Sequence, residues 1–144
     1  MTESNARPEI TMEVTRGAAR LCLDLGFAPI FEFTLRSGRR ADICALGAKG
    51  EIIIIEVKSS IEDLKADNKW HEYAENCDRF YFAVGLGFPL EALPQDTGII
   101  IADGFGAQIL HEARETQLNA ARRKAVTLMF ARHAAMRGLR LEEI

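Results

Sequence analysis

Three residues of this chain, Asp42, Glu56 and Lys58, carry charges where the surrounding sequence gives them no structural use. Glu56 and Lys58 close the run from Glu51 to Lys58, which holds the four consecutive isoleucines Ile52 to Ile55. Asp42 lies at the start of the apolar stretch that precedes it. Taking a charge out of water is costly unless it is paired or bound to a metal. Two carboxylates and an ammonium at one end of such a strand therefore point to chemistry, and the chemistry they suit is phosphodiester hydrolysis. A hard cation such as Mg²⁺ or Mn²⁺ takes one or two carboxylates and keeps several waters. It can polarise a phosphoryl oxygen and supply hydroxide near neutral pH. Lys58 could then hold the attacking water or steady the developing anion.

Residue numbers give this site a geometry. Segments 40–46 and 51–58 read as a β-hairpin. Alternation puts Ile52, Ile54, Glu56 and Lys58 on one face and Ile53, Ile55 and Val57 on the other. Both faces are apolar, the mark of a central strand covered on both sides. A loop from Ala48 to Gly50, with Gly50 in the left-handed region, pairs Gly47 with Glu51. The same register sets Asp42 directly opposite Glu56, with Cβ atoms about 4.5–5.5 Å apart. Carboxylates at roughly 5 Å repel by about 3 kcal/mol at an effective dielectric of 20, and a divalent cation between them reverses that sign.

The acid-x-lysine tripeptide alone is a weak signal. Asp63-Leu-Lys65 and Asp67-Asn-Lys69 also match it, and charged residues are common enough to produce such matches by chance. Only Glu56-Val57-Lys58 ends an apolar strand and faces an acid across a hairpin. The bland alternative is a surface ion pair of Glu56 with Lys58 or Arg40 at a frayed strand end.

The elements that must position these residues follow from periodicity. At 144 residues and 48% hydrophobic the chain is expected to be one domain over 9–144, with residues 1–8 a polar, frayed tail. Ile10, Val14, Ala18, Leu21 and Leu25 follow a helical period that Gly26 ends. Strands are expected at 29–36, 40–46 and 51–58. Ser59 and Glu62 have capping-box spacing and open a helix running to about Asn76. A strand at 79–84 lies parallel to the third through a crossover. After a Gly- and Pro-rich loop over 85–98, residues 98–102 and 107–111 form a strand pair. A long C-terminal helix over 117–137 has Leu118, Ala121, Ala125, Leu128 and Met136 on its apolar side. The fold class expected is α/β, a mixed central sheet flanked by helices.

Other functions are excluded or disfavoured by composition. The formal net charge of −3 argues against a generic basic DNA-coating protein, though an acidic metal site is locally offset by its cation. No apolar run approaches a membrane span and no signal-peptide core is present. Cys22, Cys44 and Cys77 are odd in number and set among apolar residues, as reduced core thiols of a cytoplasmic protein are. His71, His111 and His133 lack metal-ligand spacing. Gly85-x-Gly87 lacks the spacing of a dinucleotide fingerprint, so no nucleotide cofactor is expected.

With Asp42 as first acid and Glu56-Val57-Lys58 as the acid-x-lysine element, the chain resembles the PD-(D/E)XK nuclease superfamily, whose fold is restriction-endonuclease-like. More narrowly it is similar to the MmcB-like DNA-repair proteins of bacteria. That likeness rests on segments 38–42, 56–60, 67–70, 77–84, 97–98 and 102–104, and on the stretch around 121–124. Ala41 stands where the superfamily's name has proline. The resemblance implies an αβββαβ core with an added strand pair and a long C-terminal helix. It implies DNA as the partner, Mg²⁺ or Mn²⁺ as the cofactor, and metal-dependent cleavage of DNA in repair. The alternative is a nuclease-fold DNA-binding or adaptor protein with weak or lost cleavage, and a plain interaction protein comes third. A homodimer would let so small a domain engage both DNA strands.

Many members of that superfamily place a further acid on the first helix. Glu13 fits that position, or is equally a solvated helix-surface charge; Glu32 on the first strand is its competitor, and an inward charge there would need the metal or an arginine partner. On the expected second helix Lys65, Lys69 and Tyr73 share one stripe that could overlook the metal and touch phosphate. The resemblance covers Lys69 and Trp70. Trp70 could stack on a base, or anchor the core as single tryptophans more often do. Arg39 and Arg40 beside Asp42 could hold the phosphate backbone or pair with a nearby acid. Arg122, Arg123, Lys124, Arg132, Arg137 and Arg140 make the C-terminal helix locally basic, either a DNA-facing flank or a solvated face.

Overall fold

The isoleucine run forms the middle of a six-stranded sheet. In the computed structural model, which describes residues 3–139, the strands lie side by side in chain order. They are β1 (Ala28–Thr34), β2 (Arg40–Leu46), β3 (Ile52–Val57), β4 (Arg79–Val84), β5 (Gly98–Ala102) and β6 (Ala107–His111). The β1–β2, β2–β3 and β5–β6 pairs are antiparallel, and β3–β4 and β4–β5 are parallel. The sheet is thus mixed, with every residue of β3 buried.

Both faces of β3 carry a core, as its double apolar alternation predicts. On one face α1 (Glu3–Asp24) lays Val14, Ala18 and Cys22 over Ile43, Ile53, Ile55 and Ile100. Gly17 lets α1 sit directly on the β5–β6 turn, because a Cβ there would stand 2.1 Å from the Asp103 carbonyl oxygen. On the other face Ile52, Ile54, Phe80 and Phe82 pack with Phe33, Tyr73, Val126 and Phe130. That layer is supplied by α3 (Trp70–Ala74) and α4 (Ala120–Gly138). Fully burying one such isoleucine contributes roughly 1.5–3 kcal/mol, so the run is the main anchor of both layers.

The β2–β3 register is the one the loop predicts. Gly50 is left-handed at φ +91, the Gly47 N–H donates to the Glu51 carbonyl, and Ile43, Cys44, Ala45 and Leu46 face Ile55, Ile54, Ile53 and Ile52. At the loop end of the hairpin, Asp78 locks the start of β3. Its carboxylate accepts the Ile52 and Leu118 N–H groups and two Arg123 nitrogens, and Arg123 also donates to the Gly50 carbonyl.

Several expectations are corrected. Helix α1 starts at Glu3, so residues 3–8 of the segment expected to be frayed have helical backbone. The helix expected over 59–76 is two short ones, α2 (Ile61–Ala66) and α3, broken at 67–69. Its cap is Ser60, whose hydroxyl accepts the Asp63 N–H while Asp63 accepts the Ser59 N–H. The capping box is therefore shifted one residue from Ser59 and Glu62. Helix α4 buries Val126 and Phe130, whereas Leu128 and Met136, expected on its apolar side, are exposed. Arg140 of the basic stretch lies outside the described residues.

Candidate active site

The two acids meet where the β2–β3 ladder ends. The Asp42 N–H donates to Glu56 Oε1, and the Val57 N–H donates to Asp42 Oδ2, each at 2.8 Å. Each carboxylate thus caps the other's strand, which fixes both carboxyl groups and leaves Asp42 Oδ1 and Glu56 Oε2 for another ligand. Glu56 is only 4% exposed and Lys58 only 6%.

Electrostatics strain this pair. Burial, then the neighbouring Asp42 charge, pushes the Glu56 carboxyl up to about 8, against the lowering effect of the Asp42 N–H and Lys58. Burial raises Asp42 as well, partly offset by the Val57 N–H and by Lys58. Burial of the two facing acids, with the Asp42 charge acting on Glu56, makes the pair a candidate functional site.

Lys58 does not neutralise that pair directly. Its Nζ lies 2.8 Å from Asp67 Oδ2 and 4.0 Å from Asp63 Oδ1. Two clefts meet over Glu56, Lys58, Asp63 and Ala66. One, of about 790 Å³, runs between α1 and α2 and reaches Asp42, Thr11 and Met12. The other, of about 410 Å³, runs past Arg39, Asp67, Asn68, Lys69 and Tyr73. Together they make an open trough with the acid pair and the lysine at its floor.

Over residues 1–144 the chain matches the family model described as DNA repair protein MmcB-like. The chain belongs to the MmcB-like family. A protein of unknown function from Silicibacter pomeroyi, whose structure is solved, is 46% identical to it. The match covers 89% of this chain and 88% of that one, with a TM-score of 0.84. No curated protein matches this chain. Among the described residues no helix is long and apolar enough to cross a membrane.

The other expected site residues of this MmcB-like chain divide. Arg39 lines the second cleft with its Nε bonded to Glu72. Lys69 lines the same cleft and is exposed. Tyr73 reaches the cleft too, but it is 7% exposed and its hydroxyl donates to the Arg40 carbonyl. The Arg40 side chain is exposed and lines neither cleft.

Lys65 is exposed on α2 and also stays outside both clefts. The stripe of Lys65, Lys69 and Tyr73 needed one continuous helix, and the break at 67–69 dissolves it. Trp70 is a core anchor, stacked on Phe80 at 5.7 Å and edge-on to Phe82 at 6.0 Å.

Neither third-acid candidate enters the trough. Glu13 is exposed on α1, with its side chain beside Gly104 of the β5–β6 turn. Glu32 is exposed and has left-handed backbone at φ +53. That conformation slips the alternation of β1, so Ile30 and Phe33 both turn toward the same core. Arg137 holds the kink by donating to the Phe31 and Glu32 carbonyls.

The residues sequence reasoning missed are Asp63 and Asp67. Both belong to acid-x-lysine matches that look fortuitous, and their signal is that they lie four residues apart, five and nine positions after Lys58.

Proposed function

We propose that this MmcB-like protein is a PD-(D/E)XK-type nuclease that hydrolyses phosphodiester bonds of DNA with Mg²⁺ or Mn²⁺. The observation that carries this reading is the cross-strand pair itself: a buried Glu56 carboxylate and a half-buried Asp42 carboxylate, each fixed by the backbone of the other's strand, with Lys58 two residues beyond Glu56. Asp42 and Glu56 would hold the cation. Their oxygens are the hard donors that it prefers, and two carboxylates suffice for an ion that keeps most of its waters. Bound there, it would supply Lewis-acid polarisation of the phosphoryl oxygen and a more acidic water. Lys58 would orient that water and offset charge on the phosphoryl oxygens. Lys69 and Arg39 in the second cleft would hold the flanking phosphates.

A second reading, a nuclease-fold DNA-binding or adaptor protein of repair, is favoured by one observation. Among the described residues no three carboxylate, imidazole or thiolate side chains converge on a common point that could hold a metal ion. Duplex, single-stranded, nicked and branched DNA incubated with Mg²⁺ or Mn²⁺ separates the two readings, with wild type beside Asp42→Asn and Lys58→Ala. Cleavage by wild type and none by the variants supports the nuclease. DNA binding without cleavage by any of the three supports the adaptor.

A further inference from the structure

Asp67 stands where the second helix fails to continue. It caps α2 with extended backbone, φ −96 and ψ 92. Both of its carboxylate oxygens are used: Oδ1 accepts the Lys69 N–H at 3.1 Å, and Oδ2 lies 2.8 Å from Lys58 Nζ. The aspartate side chain is 13% exposed and the lysine side chain 8% exposed, whereas Asp63, the farther acid, is 42% exposed. This is an ion pair held on one side by the backbone of the helix break and enclosed by the fold.

From this geometry we infer that Asp67 is a positioning residue for Lys58, holding the ammonium off Glu56. The inference rests on the nuclease reading and deepens it. Lysine is a point charge on a flexible four-carbon stem with three rotatable donors. Two residues beyond Glu56 on the same face, an unrestrained ammonium would close on the buried Glu56 carboxylate, since an unpaired buried charge seeks the nearest counter-charge. Closing there would occupy the oxygen that Glu56 offers to a cation. The clamp to Asp67 spends one donor away from the acid pair, leaves the others for water or phosphate, and keeps Glu56 free. The helix break is what makes this possible, because it turns residue 67 out of the helical stripe and toward β3.

The test uses the full chain labelled with ¹⁵N-lysine, where a buried, ion-paired ammonium exchanges slowly enough to give a resolved resonance that Lys58→Ala assigns. Asp67→Asn keeps an acceptor for the Lys69 N–H and leaves Lys58 the Glu56 carboxylate to pair with, so the variant should stay folded, which a thermal melt checks. The Lys58 resonance is expected to shift or vanish in Asp67→Asn and to persist in Asp63→Asn. In cleavage assays Asp67→Asn should lower kcat about tenfold to a hundredfold, the usual effect of a catalytic group misplaced by about 1 Å, with KM for DNA little changed. In the Lys58→Ala background the same substitution should cost nothing further.

An unmoved resonance in Asp67→Asn overturns the clamp whether or not the protein cuts DNA. A lost resonance with unchanged kcat, or an undiminished Asp67→Asn effect without Lys58, overturns its positioning role. A wild type that cuts nothing overturns the nuclease reading and the catalytic role with it, and the resonance then reports only whether the ion pair exists.

Discussion

Asp42 and Glu56 are each bonded to the backbone of the other's strand, Asp42 N–H to Glu56 Oε1 and Val57 N–H to Asp42 Oδ2, both at 2.8 Å. Amide replacements keep an acceptor for those N–H groups while removing the charge. Asp42→Asn and Glu56→Gln should therefore stay folded yet lose Mn²⁺ affinity and DNA cleavage by about a hundredfold or more, as loss of one of two charged ligands implies. Titration calorimetry with Mn²⁺, read beside cleavage rates, checks this. Retained affinity in both variants would remove the pair from the metal site.

The pH dependence of stability follows from Glu56. Burial and the Asp42 charge raise its carboxyl from 4.5 to about 8 in the folded protein. Between those values the native state holds a proton that the unfolded chain has released, so stability falls as pH rises and levels off above about 8. Glu56→Gln removes this titration. Its unfolding free energy should match wild type near pH 4.5 and pull ahead toward pH 8.5, by a difference on the order of 1–3 kcal/mol that shows as a higher melting temperature. Saturating Mg²⁺ should narrow the gap by favouring the ionised carboxylate. Parallel melting curves across that range would contradict the assignment.

At the loop end of the hairpin, Asp78 ties Ile52, Leu118 and Arg123 together. Burial raises its carboxyl, but the Arg123 guanidinium and the two backbone donors outweigh this and hold it below the ordinary value. Removing one partner of a buried ion pair costs about 3–5 kcal/mol. Asp78→Ala should lose that much in urea unfolding, because it also strips the Ile52 and Leu118 N–H groups of their acceptor, whereas Arg123→Ala leaves both donors on the carboxylate and should cost less.

Glu32 is strained where Glu13 is not. A left-handed L-residue costs roughly 1–2 kcal/mol, and glycine relieves it at some cost in unfolded-chain entropy. Glu32→Gly should raise stability by up to about 1 kcal/mol and leave cleavage unchanged, as should Glu13→Gln for cleavage. A large loss of activity in either variant would restore it as a third acid.

Lys69 and Trp70 are neighbours with different expected roles. Lys69→Ala should weaken DNA binding and reduce the salt dependence by about one phosphate contact. Trp70→Ala should cost about 2–4 kcal/mol of stability through lost packing on Phe80 and Phe82. Filter binding at several salt concentrations, alongside thermal melts, distinguishes the two.

What the sequence determined by itself is the hairpin. Strand alternation and the turn residues are local, so the isoleucine run, the left-handed Gly50 and a two-residue side-chain period were enough to set Ile43 across from Ile55 and bring Asp42 to Glu56. The six strands were legible for the same reason, the parallel crossover from the rule for such connections, and the three free, buried cysteines from their odd number and apolar neighbours. The break at 67–69, the inward face of α4 and the slip at Glu32 were not. Each is a local choice, helix or no helix, one face or the next, settled by a partner distant in sequence: Lys58 for Asp67, Phe33 for Phe130, Arg137 for the Glu32 carbonyl. Only the tertiary structure decided that Lys58 pairs with Asp67 and not with Glu56. The energy of a buried charge depends on which counter-charges the fold brings within a few ångströms, and residue spacing does not encode that.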